Sequence, residues 1–183
     1  MRIISGIYRG RILKSPADNK TRPTSDRLRE TLFNILKPRI DEETRFLDLC
    51  AGTGAIGIEA LSRGALFTTF VDKSKRSCAL IEENLDLLKI PEEETEIINL
   101  SAENFTSREQ SNGWDIVYFD PPYDSEYIFV LRDFGENDKL LNQNGIFIAE
   151  HHSKTELPDE VFSLRRWRIL KQGETCLSFY EKN

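Results

Sequence analysis

Apolar residues after position 45 form short continuous runs that alternate with amphipathic stretches. Five runs have the length and continuity of buried strands: residues 46–50, 67–71, 96–100, 114–119 and 145–150. Apolar stripes at helical spacing lie between them, at residues 54–62, 74–88 and 127–134. Residues 164–170 and 175–180 predict a closing hairpin around the turn at residues 171–174. Alternating strands and helices predict an α/β fold with a doubly wound, mostly parallel sheet of seven strands.

Residues 1–40 do not follow this alternation. Two short runs, residues 2–7 and 11–14, predict a β-hairpin that turns at Gly10. A helix follows, with Thr24 or Ser25 as its N-cap and Pro38 at its end. Its apolar stripe is formed by Leu28, Leu32, Ile35 and Leu36, and the pattern places Arg27 and Arg29 off that stripe. The chain is therefore predicted to join a hairpin-and-helix extension, residues 1–40, to one compact domain, residues 41–183.

The charge of the chain is divided between these two parts. The 183 residues carry a net charge of −6, yet residues 1–40 carry +7 and the remainder −13. A basic segment on an acidic body directs a polyanion to one side of the molecule, so a nucleic-acid partner is predicted. A solvated charged face would give the same counts. The apolar and charged fractions, 39% and 31%, are typical of a soluble globular protein.

Cysteine and histidine positions make other classes of protein less consistent with the sequence. Cys50, Cys78 and Cys176 are far apart and form no CxxC motif, which is typical of reduced thiols in a cytoplasmic protein. His151 and His152 have no neighbouring Cys or His cluster, so no metal site is predicted. No apolar run approaches the length of a membrane span, and no membrane association is expected.

A glycine-rich loop follows the first predicted strand. Residues 52–57, GTGAIG, match GxGxxG and open a helix, and Asp72 lies 20 residues beyond Gly52 at the end of the next strand. Such a loop lets a cofactor approach the backbone at Ala51, Gly52 and Gly54, and the acid can hold a ribose diol. The motif alone does not distinguish NAD from S-adenosylmethionine.

Asp48 favours S-adenosylmethionine, because a carboxylate before the loop suits the cationic methionine end and would repel a pyrophosphate. The alternatives need no ligand: Asp48 as a hydrogen-bonded strand-end carboxylate, and Asp72 as a helix N-cap.

A second motif, residues 119–123 (FDPPY), ends the fourth predicted strand. The two prolines lack N–H groups and stiffen the turn, so the Asp120 carboxylate and the Pro121 carbonyl are presented as acceptors beside the Tyr123 ring. This arrangement suits a planar group that carries an NH₂. A plain Pro-Pro turn with a solvated Asp is the alternative. In a doubly wound sheet the first and fourth strands are neighbours, so both motifs are expected in one crevice.

Together these motifs resemble those of a known family. Residues 46–65, FLDLCAGTGAIGIEALSRGA, with DPPY at 120–123, are similar to class I methyltransferases that modify exocyclic amines. The opening, RIISGIYRGRIL at 2–13 and TRPTSDRLRETLFNIL at 21–36, resembles the RsmD family, the bacterial 16S ribosomal RNA guanine-N2 methyltransferases. The similarity extends to about residue 180 and includes GETCLSFY at 173–180.

The resemblance implies methyl transfer from S-adenosylmethionine to the N2 amine of a guanine in 16S rRNA. The substrate would be an assembled or assembling 30S subunit, and the enzyme a cytoplasmic monomer without a metal. Asp120 and the Pro121 carbonyl would accept the amine hydrogens, and Tyr123 would stack on the base. Ala102 and Glu103 stand where many relatives have an Asp beside the adenine. Residues predicted to contact RNA are Arg22, Thr24, Arg27 and Arg29.

Other functions use similar motifs. A DNA adenine-N6 methyltransferase or a protein glutamine-N5 methyltransferase has a similar clamp, although the chain has no inserted DNA-reading domain. A non-catalytic module that binds RNA or NAD is the more distant alternative. The identity of the bound cofactor distinguishes the last alternative from an enzyme.

Overall fold

The structure, a computed structural model, describes residues 1–16, 26–110, 112–122 and 127–183. Within these ranges the chain forms one eight-stranded sheet in the order β3-β2-β1-β4-β5-β8-β7-β6. The strands are β1 Arg45–Leu49, β2 Phe67–Val71, β3 Thr95–Ile98, β4 Trp114–Phe119, β5 Leu141–His152, β6 Glu160–Val161, β7 Leu164–Gln172 and β8 Thr175–Lys182. The first five strands run parallel, and the remaining three add an antiparallel edge.

Helices cover both faces of this sheet. The five α-helices in the described part of the chain are α1 Asp26–Leu36, α2 Ala55–Ser62, α3 Lys75–Leu88, α4 Ala102–Thr106 and α5 Tyr127–Glu136. Short 3₁₀ turns occupy Lys37–Arg39 and Glu92–Glu94. None of the described helices is long and apolar enough to cross a membrane.

The predicted doubly wound sheet is confirmed, with β1 and β4 as neighbours at the point where the strand order reverses. The prediction missed β6 and α4, which have two and five residues. Elements this short carry no readable hydrophobic period, so tertiary contacts decide them.

The two faces of the sheet belong to separate cores, which explains the continuous apolar runs in its parallel strands. Alternate residues such as Leu47 and Val117 pack with α4 and α5. The residues between them, such as Phe46 and Tyr118, pack with α1 and α2 on the opposite face. This second face carries the side chains that matter for the site.

The predicted N-terminal hairpin is only partly present. A single antiparallel bridge joins Arg2 and Ile12, and Ile3 exchanges backbone hydrogen bonds with Gly10 and Arg11. Beyond Ile3 the chain turns to α2 instead of pairing. The buried Glu59 carboxylate accepts hydrogen bonds from the N–H groups of Ile4 and Ser5 at 2.8 and 3.0 Å.

Gly6 allows this close approach to α2. Its φ is +87°, and a Cβ at this position would stand 1.6 Å from the Ser62 carbonyl oxygen. Ile7 N–H donates to the same oxygen at 2.8 Å. Ile3 and Leu13 are buried with Ile58 of α2. The N-terminal segment therefore shares a hydrophobic core with the sheet domain.

Candidate active site

The glycine loop turns sharply where β1 ends. Cys50, Gly52 and Gly54 all have left-handed backbone conformations, with φ of 65°, 56° and 74°. A Cβ on Gly52 would meet no atom within 4 Å, so this part of the loop is open to a ligand. A Cβ on Gly57 would stand 2.3 Å from the Phe70 ring, because α2 packs directly on β2 there. These are the separate roles that the glycines of a nucleotide-binding loop perform.

Asp48 lies beneath this loop. Its side chain is buried, and Oδ2 accepts a hydrogen bond from Gly57 N–H at 2.9 Å. Burial raises the pKa of Asp48 to about 8, the Gly57 N–H opposes the rise and the charge of Asp72 adds to it. Asp48 thus stabilises the first turn of α2. This is the contact expected if Asp48 is a hydrogen-bonded strand-end carboxylate that needs no ligand. A cation bound nearby would in addition stabilise its ionised form.

Asp72 ties the same loop to the end of β2. One carboxylate oxygen accepts from Gly52 N–H at 2.9 Å and the other from Ser74 N–H at 2.8 Å. Ser74 is the N-cap of α3, and its hydroxyl accepts from Ser77 N–H. The alternative interpretation of Asp72 as the N-cap is therefore wrong, while its carboxylate stands at the loop as predicted.

Four predicted acids gather around Cys50. Burial raises the pKa of the Cys50 thiol far above its usual range, and the charges of Asp72, Asp120, Glu103 and Asp48 raise it further, in that order. Glu103 is exposed at the start of α4, next to the buried Ala102. The acids come from β1, from the start of α4 and from the residues directly after β2 and β4, so the sheet topology brings both motifs into one negatively charged crevice.

Asp120 directly follows β4, and its N–H donates to the Leu49 carbonyl at 3.2 Å. This bond holds the second motif against the end of β1. The pKa of Asp120 is raised well above its usual range by burial, then by the charges of Glu150 and Asp48. Pro121 is buried beside it. Tyr123 lies outside the described residues.

The sequence interpretation missed Glu150, an acid near the end of β5. Only 7% of its surface is exposed, and Oε2 accepts a hydrogen bond from the Tyr118 hydroxyl. The sequence does contain an indication of this residue, because Glu150 ends an otherwise apolar predicted strand. Buried glutamates are rare unless they are paired or functional. Its neighbour in space, Asp120, became apparent only from the strand pairing.

The N-terminal segment supports the glycine loop through Asn84 of α3. The Asn84 side chain accepts from Lys14 N–H at 2.7 Å and donates to the Thr53 carbonyl at 3.0 Å. The Asn84 side chain is fully buried, which fixes its amide between these two partners. Residue 14 and the loop are therefore linked through one side chain.

The predicted RNA-contacting residues have three different outcomes. Arg22 and Thr24 lie outside the described residues, and Arg27 is exposed on α1. The predicted placement of Arg29 on the exposed side of the helix is wrong, because its side chain is completely buried. Its Nη2 donates to the Arg2 carbonyl at 2.7 Å and to Asp26 Oδ1 at 2.9 Å. Arg29 fastens α1 to the N-terminal segment, and in this conformation a phosphate cannot contact it.

Within the described ranges, no three or more Cys, His, Asp or Glu side chains are arranged to hold a metal ion.

Proteins of known structure share this architecture, and other relatives share its sequence, along nearly the whole chain. The yhhF protein of Escherichia coli superposes with a TM-score of 0.87 at 30% identity, covering 100% of this chain and 98% of that one. The YlbH protein of Bacillus subtilis is 35% identical, covering 100% of this chain and 99% of its own length. "Ribosomal RNA small subunit methyltransferase D" of Haemophilus influenzae is 34% identical, covering 98% of this chain and 91% of its own.

The sheet order and the glycine-loop crevice define a class I methyltransferase fold whose cofactor is S-adenosylmethionine. The open backbone at Gly52, the Asp72 carboxylate and the surrounding negative charge fit a cationic, ribose-containing group. Within this class, the chain belongs to the family described as Conserved hypothetical protein 95, whose model matches residues 1–181. The predicted membership of the RsmD family is thereby confirmed.

Proposed function

We propose that this protein transfers a methyl group from S-adenosylmethionine to the N2 amine of a guanine in small-subunit ribosomal RNA. The observation that carries the proposal is the position of Asp120, which is held to the end of β1 and lies close enough to Asp48, beneath the glycine loop, for their charges to interact. The name of the Haemophilus influenzae relative, a small-subunit rRNA methyltransferase, supports the class of substrate.

The cofactor residues have distinct tasks in this proposal. Asp72 accepts hydrogen bonds from the ribose hydroxyls while it keeps the Gly52 N–H in place. Asp48 stabilises the cationic methionine end, and the backbone of Ala51, Gly52 and Gly54 allows its close approach. Ala102 and Glu103 border the adenine. Bound S-adenosylmethionine supplies an electrophilic methyl group, so the protein has mainly to position the amine and stabilise charge.

Asp120 and the Pro121 carbonyl hold the target amine. An aryl amine is a weak nucleophile because its lone pair is delocalised into the ring. Two acceptors that bind its hydrogens favour the localised lone pair and direct it towards the cofactor. Tyr123 would stack on the base. The amine becomes acidic after methylation, and Asp120 can accept the released proton because its raised pKa makes it a stronger base.

Arg22, Thr24 and Arg27 contact RNA in this proposal, as parts of a basic extension formed by residues 1–40. The exposure of Arg27 on α1 supports its part. Arg29 stabilises α1 instead of binding phosphate. We also propose that the substrate is an assembled or assembling 30S subunit and that the enzyme acts as a cytoplasmic monomer.

Tritiated methyl transfer tests this function. Purified protein is incubated with labelled S-adenosylmethionine and with 30S subunits, free 16S RNA or DNA, and the labelled nucleoside is identified. Label in N2-methylguanosine from 30S subunits or 16S RNA is the expected result. Label in N6-methyladenine from DNA, or in glutamine of a 30S protein, would replace the proposal with one of the alternative methyltransferases. A reaction without protein provides the blank.

A further inference from the structure

Glu150 stands beside Asp120 at the carboxyl ends of two paired strands. The parallel register of β4 and β5 pairs Tyr118 with Ile148 and Phe119 with Ala149, so Asp120 and Glu150 come next. Alternate residues of a strand share a face, and these two acids therefore continue the face that carries Tyr118 and Ile148. Neighbouring strands lie about 4.8 Å apart, which brings the two acids within range of a single small ring.

The Glu150 carboxyl is held in place by a side chain of β4. The Tyr118 hydroxyl donates to Oε2, and 7% of the residue is exposed. Burial is the main cause of the raised pKa of Asp120, and the charge of Glu150 is the next largest cause. Two neighbouring acids with restricted access to water disfavour each other's ionisation, so a hydrogen-bond donor that approaches either of them is favourable. A ligand with adjacent hydrogen-bond donors can contact two neighbouring acids at once.

Guanine presents such donors along one edge. Its N2 amine and its N1–H group lie side by side and point in nearly the same direction. Adenine has an amine in the related position, but its N1 is an acceptor. A site in which one acid holds the amine therefore has a neighbouring position that distinguishes the two bases. Buried groups that pair with one ligand and are left unpaired by another give strong discrimination.

We propose that Glu150 selects guanine by accepting the N1–H of the target base while Asp120 and the Pro121 carbonyl hold the N2 amine. The inference rests on the proposed function and adds the residue that sets its base specificity. Glu150 acts by binding and orienting the ring, and the methyl transfer itself remains at the amine. With adenine, or with any purine whose N1 carries a lone pair, the Glu150 carboxylate would face another acceptor and repel it.

The test replaces the hydrogen-bond donor at N1 of the base with an acceptor, and the acceptor at residue 150 with a side chain that can donate. An RNA fragment carries the mapped target nucleotide as either guanosine or 2-aminopurine riboside, which keeps the 2-amino group but has an acceptor at N1. Both are assayed free and in reconstituted 30S subunits. In Glu150→Gln the side-chain amide can donate to that acceptor. We expect the preference for guanine in kcat/KM to fall by at least about tenfold, which corresponds to one altered hydrogen bond.

Two further variants separate recognition from structure. Glu150→Ala should lose activity on guanine and gain none on 2-aminopurine, because it supplies no donor. Glu160→Gln, an exposed change of the same kind on β6, should leave the preference unchanged. Affinity for S-adenosylhomocysteine and the melting temperature report whether each variant keeps its cofactor site and fold.

The outcomes are distinguishable. If the wild type methylates guanine and Glu150→Gln slows both substrates equally, Glu150 has only a structural role and the inference is overturned. If the wild type does not methylate guanine in either RNA form, the proposed function itself fails, and the Glu150 inference fails with it. A lowered preference for guanine in Glu150→Gln, together with an unchanged melting temperature, supports both the proposed function and the role of Glu150.

Discussion

The Asp72 carboxylate accepts a hydrogen bond from Gly52 N–H at 2.9 Å, joining the end of β2 to the glycine loop. A second bond, from Ser74 N–H, fixes its other oxygen. Asp72 therefore already organises the protein backbone, and a ribose would add to contacts that exist without it.

Asp72→Ala should consequently weaken cofactor binding and destabilise the protein together. Lost hydrogen bonds to a carboxylate cost about 1.5–3 kcal/mol, which corresponds to a tenfold to hundredfold loss of affinity for S-adenosylhomocysteine. Titration calorimetry and thermal unfolding measure the two effects. Asp86→Ala, at an exposed position of α3, is the matched control and should change neither. Unchanged cofactor affinity in Asp72→Ala would remove Asp72 from the site.

Asp48 should make stability depend on pH. Its pKa is about 8 in the folded protein, above the value of about 3.9 for an unperturbed Asp, so the folded state favours the neutral form. The contribution of Asp48 to the free energy of unfolding is complete at pH values below about 3.9 and is lost as the pH rises towards 8. Asp48→Asn keeps an acceptor for Gly57 N–H and lacks this titration. Chemical unfolding between about pH 5 and 9 measures this dependence. The free energy of unfolding of Asp48→Asn, relative to that of the wild type, should increase as the pH rises.

The same Asp48→Asn variant should bind the cationic cofactor more weakly at pH 9, because the negative charge is gone. A parallel pH dependence in both proteins would contradict the assignment of the raised pKa to Asp48. Equal cofactor affinity would contradict its proposed contact with the methionine end.

Asp120→Ala should abolish methyl transfer with little change in cofactor affinity, because its proposed partner is the target amine. Single-turnover assays and calorimetry separate these two quantities. In Asp120→Asn the amide oxygen can still accept hydrogen bonds but the side chain cannot take up a proton, so turnover should remain strongly reduced. Near-normal turnover of Asp120→Asn would show that a neutral acceptor suffices.

Arg27 and Arg29 should respond differently to neutralisation. Arg27→Gln removes one exposed charge, and the slope of log K against log salt for RNA binding should fall by about 0.7, as for one lost contact with a single strand. Arg29→Gln should leave that slope unchanged and lower the melting temperature, since Arg29 is buried against Asp26 and the Arg2 carbonyl. A lowered salt slope with an unchanged melting temperature in Arg29→Gln would instead indicate that Arg29 contacts RNA.

Much of the site follows from local sequence. The glycine loop, Asp48 and Asp72 are positioned within one strand-loop-helix unit and the strand after it, so their spacing determines their geometry. The Pro-Pro pair fixes the end of β4 through backbone restrictions alone. The alternation of strands and helices then places β1 beside β4, as observed. These features could be predicted because each depends on short-range steric rules or on a strongly preferred topology.

Tertiary structure decided the features that depend on long-range pairing. Arg29 fits a solvent-facing position by helical period, yet it is buried because the N-terminal segment folds over α1 and supplies the Arg2 carbonyl. Glu150 and Asp120 are 30 residues apart, and only the register of β4 and β5 makes them neighbours. A shift of one residue in that register would turn Glu150 to the other face of the sheet. Sequence determined which chemical groups the crevice contains, and strand pairing determined which of them act together.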